Sequence, residues 1–262
     1  MKSKKLLISL IVVALVVVAI VVLVSVFTLR DVIVVCHKFE GGKILPDDDA
    51  PNAQEIAALF AGKGIVFLNK EDALKQLNEL YPDYHFFQIV KIPPNAMEVH
   101  FLKRSVVAKL DVGGKDVYLD SYGYQVSAPA DGTAVLDISS AFITPIVQQE
   151  SATGPFKFEN SINNQRLSCI LECFIGMWRC YVDTENFPVF GTENVFTFDS
   201  DGTMTITMPV GAKIHIMNPH EDMYVKIKNA LSVYYSAENN LQQPGVEITV
   251  WQDGKVTTPG KK

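Results

Sequence analysis

Charge of either sign is missing from the early part of this chain, and positive charge is scarce in the rest. Between Leu6 and Phe27 no charged residue occurs, and only Ser9 and Ser25 interrupt an apolar run. Four of the 23 Lys+Arg (Lys2, Lys4, Lys5 and Arg30) precede Asp31, whereas all 29 Asp+Glu follow from there. The part from Asp31 onward therefore carries a net charge of −10, nineteen cations against 29 acids. That balance excludes a general nucleic-acid binder, which needs a basic face to neutralise phosphates. The signatures of common chemistry are missing as well. There is no H-E-x-x-H, no Gly-rich phosphate loop and no G-x-S-x-G. None of the four cysteines stands in the C-x-x-C spacing that zinc sites use.

What is present begins with the run itself. Its 22 residues would span about 33 Å as a helix, enough for a bilayer core of about 30 Å. Three lysines precede it and one arginine follows, so residues 1–5 are expected inside as a cytoplasmic stub and the bulk outside. A cleaved signal peptide would have a shorter apolar stretch and a small-residue cleavage site; this run ends Val24-Ser25-Val26-Phe27. Residues 6–27 are therefore read as one uncleaved transmembrane helix.

The remainder reads as an α+β protein in two parts. Asp31–Lys38 is a β-branched strand, followed by a loop over Glu40–Pro51 that holds Asp47, Asp48 and Asp49. Asn52 caps a short helix with Ile56, Leu59 and Phe60 on one face. Ile65–Leu68 is expected to be extended. Asn69 caps a second helix with Ala73, Leu74, Leu77 and Leu80 as its stripe, ended by Pro82. Strands His85–Ile92 and Met97–Leu102 complete a first domain over residues 31–102. From 103 to 256 the pattern is mostly antiparallel β with two helices. Strands are expected at Val106–Leu110, Val117–Leu119, Val195–Phe198, Thr203–Met208, Lys213–Met217 and Val246–Trp251. The helices are Asn163–Tyr181 and one starting near Pro219, with Glu221 and Asp222 in its first turn. Residues 257–262 read as a disordered tail.

The residues that could carry chemistry have plainer readings beside them. Cys169, Cys173 and Cys180 fall within about 40° of one another on a helix, as thiols on a core stripe do. A disulfide involving one of them is the next reading, and Cys36 has no evident partner. Asp199-Ser200-Asp201-Gly202 mimics the start of a calcium loop, but position 12 would be Val210, so it reads as a hairpin turn. No metal or cofactor is expected. An exported cysteine also suggests a sortase-like transpeptidase, with Cys169, His100 and Arg179 in the order that family uses. The resemblance fails at the nucleophile: Arg166-Leu167-Ser168-Cys169 lies on an expected helix rather than on a Thr-Leu-x-Thr-Cys strand, and burial raises a thiol's pKa.

Several segments, taken in order, resemble one family. Gly62-Lys63-Gly64-Ile65-Val66-Phe67-Leu68-Asn69 leads into the second helix, and Leu77, Leu80 and Pro82 close it. Pro94-Asn95-Ala96-Met97-Glu98-Val99, Arg104-Ser105-Val106-Val107-Ala108 and Tyr118-Leu119-Asp120-Ser121-Tyr122-Gly123 follow. With the stub and the single crossing, this layout resembles the bacterial division proteins FtsQ/DivIB, whose first outer unit is a POTRA domain. The chain departs from the family pattern at Ala96, Lys103 and Val106. The resemblance implies a non-enzymatic scaffold at the septal membrane that binds single-pass coiled-coil division proteins of the FtsB/DivIC and FtsL kind, with no small-molecule substrate. A POTRA-containing secretion or assembly component is the other non-enzymatic alternative. The expected partner surface is a sheet edge that accepts a strand: Val246, Glu247, Ile248, Thr249, Val250 and Trp251, with the Trp251 indole as outward anchor.

Overall fold

Runs of Val and Ile, two asparagine caps and a series of glycine turns dictate the elements of a mixed α+β fold. A computed structural model of the chain describes residues 12–19, 21–22, 25–40, 43–46, 51–129, 132–149, 154–184 and 190–259. The acidic triplet Asp47–Asp49, the start of the apolar run and the last three residues lie outside the described residues. Residues 12–19, 21–22 and 25–26 are helical, and their valines are more than two-fifths exposed. No helix among the described residues is long and apolar enough to cross a membrane. The chain separates into two compact units, residues 1–37 with 46–102 and residues 38–45 with 103–262.

The first unit is built on β1 (Asp31–Glu40), α1 (Ala53–Phe60), α2 (Lys70–Leu80), β3 (Tyr84–Ile92) and β4 (Ala96–Lys103); β2 (Lys43–Pro46), which follows β1 in the chain, falls almost wholly to the second unit. The sheet order is β2-β1-β4-β3. β1 runs parallel to β4, from Asp31 opposite Ala96 to His37 opposite Leu102. Sequence expected a loop where β2 lies, because its four residues have too little pattern to announce a strand. Both helices begin where the asparagines direct: the Asn52 side chain accepts from Gln54 N at 2.9 Å and that of Asn69 from Glu71 N at 3.0 Å. Ile56, Phe60, Ala73, Leu74 and Leu77 face Met97, Val99 and Phe101 in one core. Leu80, expected on that stripe, is half exposed at the last turn. The Asn78 amide bonds Phe86 in both directions, accepting at 2.7 Å and donating at 3.0 Å, and so ties α2 to β3.

The second unit opens with a three-stranded sheet, β5 (Ala108–Val112), β6 (Lys115–Leu119) and β7 (Gln125–Val126). Gly113 and Gly114 both take positive φ (61° and 85°), as the tight turn between β5 and β6 requires. α3 (Ser161–Thr184) follows, then β8 (Val195–Phe198), β9 (Met204–Thr207), β10 (Lys213–Ile216), α4 (Met223–Tyr234), β11 (Glu247–Val250) and β12 (Val256–Thr257). These five strands form a sheet in the order β12-β11-β10-β9-β8. All its pairings are antiparallel except β10 with β11, which α4 connects in parallel. Phe196, Met204, Ile206, Ile214, Ile216, Ile248 and Val250 are buried, as are Cys173, Phe174 and Met177 of α3 and Ile227, Ala230 and Leu231 of α4. α3 and α4 touch at Gly176, where a Cβ would stand 3.3 Å from Tyr224 Cα.

Two expectations are corrected here. The second helix starts at Met223 rather than near Pro219, so Glu221 and Asp222 are outside it; Asp222 sits in the left-handed region (φ 49°) as its N-cap. The expected tail residue Thr257 belongs to β12.

Candidate partner-binding edge

The expected site residues fall on β11 and its flanks, and β11 is not an outer strand. On one side Lys213–Ile216 of β10 pairs with Glu247–Val250; on the other, Thr249 faces Thr257 and Val250 faces Val256. The expectation of a free edge at Val246–Trp251 is thus displaced by one strand. The cause is the turn after Trp251. Gly254 takes φ 78°, Gly254 N donates to Trp251 O at 2.9 Å, and Trp251 N donates to Lys255 O at 2.8 Å. This three-residue loop with a left-handed glycine folds the chain back as β12. The signal that sequence reading passed over was Asp253-Gly254 followed by Val256-Thr257, a short hairpin pattern.

The two ends of the sheet differ. At β8 the Ser140 hydroxyl donates to Phe196 O at 3.0 Å, so a carbonyl of that edge is already taken. At the opposite end β12 is the last strand among the described residues. Trp251 N bonds Lys255 O, so pairs two residues apart along this antiparallel ladder face inward, and Val256 between them turns its backbone N–H and C=O away from β11. Trp251 is 47% exposed, and its indole N–H donates to the Thr257 hydroxyl at 3.1 Å. The ring thereby lies over β12. Lys255 and Asp253 form an ion pair at 2.9 Å, which lowers the aspartate pKa and raises that of the lysine, so both stay charged.

Beside this edge the sheet's second face carries four hydroxyls and one imidazole in register: Thr257, Thr249, His215, Thr205 and Thr197 lie in one row across all five strands. His215 Nδ1 is 2.9 Å from the Thr205 hydroxyl, and its Nε2 is 3.9 Å from Glu247. Thr205 is itself buried, at 6% exposed.

The cysteine hypothesis can be judged residue by residue. Cys169 has an imidazole partner, but it is His220, with Nδ1 at 3.0 Å from Sγ, and not His100. The thiol is fully buried, and desolvation, with Glu172 nearby, pushes its pKa up to about 12. It stays protonated, a poor nucleophile. Arg179 lies over the Tyr224 ring at 5.9 Å. His100, in the first unit, has Nδ1 at 3.0 Å from His37 Nε2 and Nε2 at 3.1 Å from Glu98. His100 is buried, at 5% exposed. All four cysteines are buried and none is in a disulfide, and among the described residues no group of three or more His, Cys, Asp or Glu is arranged to hold a metal.

Two residues of the quoted motifs do meet. Arg104 lies 3.5 Å from Asp120, with its guanidinium over the rings of Tyr122 at 4.0 Å and Tyr124 at 5.2 Å. Asp120 Oδ1 accepts from Tyr122 N and Tyr124 N at 2.8 and 2.9 Å, and Gly123 supplies the positive φ of this turn. The arrangement ties the lead-in to β5 to the turn after β6. Burial pushes the Tyr122 pKa up, opposed by Arg104.

In comparison with known proteins, no family model and no curated protein sequence matches the chain.

Proposed function

We propose that this chain is a membrane-tethered, non-enzymatic division scaffold of the FtsQ/DivIB kind. In this reading the run Leu6–Phe27 crosses the bilayer once, the N-terminus is cytoplasmic, and both units stand on the outer side at the septum. The observation that carries it is the order of the first unit: strand, helix, helix, strand, strand, with β1 inserted parallel beside β4. That order supports the POTRA-like reading of this unit, and it directly follows the apolar run. The sheet that ends in β12 supports the second half of the reading. An end strand with outward backbone groups and an aromatic beside it can accept a strand from a partner, and its side chains then set the choice. The partners proposed are single-pass coiled-coil proteins of the FtsB/DivIC and FtsL kind.

A fluorescent fusion of the full chain tests this reading in dividing cells. The expected result is a band at the division site that persists when Cys169 and His220 are replaced together. A uniform membrane distribution would overturn the division role, and loss of function in the double variant would return the cysteine chemistry to first place.

A further inference from the structure

The most exposed large apolar side chain among the described residues is Phe67, at 87%, and Val66 beside it is 58% exposed. Isolated apolar residues at a surface are ordinary, but the position of this pair is not. The segment before it runs antiparallel to the chain that leaves the helical residues 25–26. Leu29 N donates to Lys63 O at 2.9 Å, Thr28 bridges Gly64, and Ile65 N donates to Phe27 O at 2.8 Å. Each step from Lys63 to Ile65 therefore returns one residue toward the apolar run, and Val66 and Phe67 come next, level with its end. Sequence expected an extended segment here. Instead Phe67 N donates to Gly64 O at 3.0 Å, closing a turn that holds Ile65 in the core and lifts Val66 and Phe67 out of it.

Cations surround the turn. Lys91 Nζ donates to Val66 O at 3.1 Å, Lys63 lies beside Phe60 at 4.9 Å, and Arg30 donates to Ser25 O at 3.4 Å. Arg30 N also bonds Asn95 O at 2.9 Å, which brings the exposed Pro93-Pro94 turn to the same end. Asp72 lines the same surface hollow as Lys63 and Phe67, and Asp31 adjoins Arg30 in the chain, so attraction to anionic headgroups is modest and the apolar pair dominates. An aromatic flanked by long cationic side chains suits the boundary between headgroups and acyl chains.

We infer that the Val66–Phe67 turn dips into the outer leaflet beside the transmembrane helix and fixes how the first unit stands on the membrane. This rests on the proposed crossing at Leu6–Phe27. The partner is the lipid surface itself.

The test uses the full chain reconstituted in phosphatidylcholine/phosphatidylglycerol vesicles whose phosphatidylcholine is brominated either near the carbonyl or near the chain end. Phe67→Trp and, separately, Val17→Trp add one emitter each, and the emission of wild-type Trp178 and Trp251 is subtracted. Added emission at 67 should be largely lost with shallow bromines and kept with deep ones, while emission at 17 is lost with deep bromines. Emission at 67 that resists both, with 17 quenched, overturns the dipping turn and leaves the crossing intact; the turn then faces water or a protein. Unquenched emission at 17 overturns the crossing, and the turn's membrane role with it.

Discussion

Lys226 is a fully buried cation on α4, and replacing it with methionine asks what it does there. Lys226→Met keeps the length and apolar stem of the side chain and removes only the ammonium. Nζ donates to Met217 O at 3.1 Å and to Asn218 O at 2.6 Å. Both carbonyls lie in the turn between β10 and α4, where Asn218 and Asp222 hold positive φ of 45° and 49°. A hydrogen bond to a charged group contributes roughly 1.5–3 kcal/mol net. Two such bonds set the upper bound. Against them stands the desolvation of the ammonium, which lowers its pKa, and the half-buried carbonyls can partly turn to water. The balance is a loss of about 2 kcal/mol, or about 4–8 °C in the melting temperature of a unit this size. Thermal unfolding of the full chain in detergent micelles, followed through the buried Trp178, reads it out. Lys226→Ala should cost more, because it also leaves a cavity. A neutral or stabilising Lys226→Met would refute the reasoning: the ammonium would then be a buried liability and not the clamp on the turn.

Three further outcomes follow from burial and packing. All four thiols should resist a thiol reagent in the native chain and react in denaturant; a fast-reacting native Cys169 would contradict its raised pKa. Burial lowers the His37 pKa from its ordinary 6.5, so as the pH falls the unfolded chain takes up a proton first. The associated stability is complete above 6.5 and is lost as the pH drops through the lowered native value; denaturation across this range should show that loss, and His37→Gln should flatten it. Gly176→Ala gains helix propensity of about 1 kcal/mol, but its methyl meets Tyr224 Cα at 3.3 Å, a backbone atom that cannot step aside alone. The melting temperature should fall, and a rise would show that α4 shifts freely.

Where one residue type dictates a backbone conformation, the sequence was legible. Asn52 and Asn69 start helices where they were expected to, Gly113-Gly114 turns the chain, and Asp201-Gly202 lies between β8 and β9. The expected strand Thr203–Met208 corresponds to β9, Met204–Thr207. What could not be read depends on contacts distant in sequence. Nothing in the sequence marks Lys226 as buried; it is the fold that brings the carbonyls of Met217 and Asn218 to it. His220 becomes the neighbour of Cys169 only because α3 lies across the turn before α4. β2 and β12 are too short for a hydrophobic period, and each exists by pairing with the strand beside it. The missed β12 matters most for the candidate site, since it takes up the outward backbone groups of Thr249 and Trp251 and leaves those of Val256 at the edge.

In the proposed function, partners join the sheet at that last strand. Val256→Pro removes one outward donor at a position that does not bond β11, so the β11–β12 hairpin should survive it. The decisive measurement is co-purification of single-pass coiled-coil division proteins with the full chain, with and without this substitution. The wild type should capture them, and a folded Val256→Pro chain should do so roughly tenfold more weakly, the equivalent of about one hydrogen bond. Equal capture by both, or none by the wild type, would contradict it.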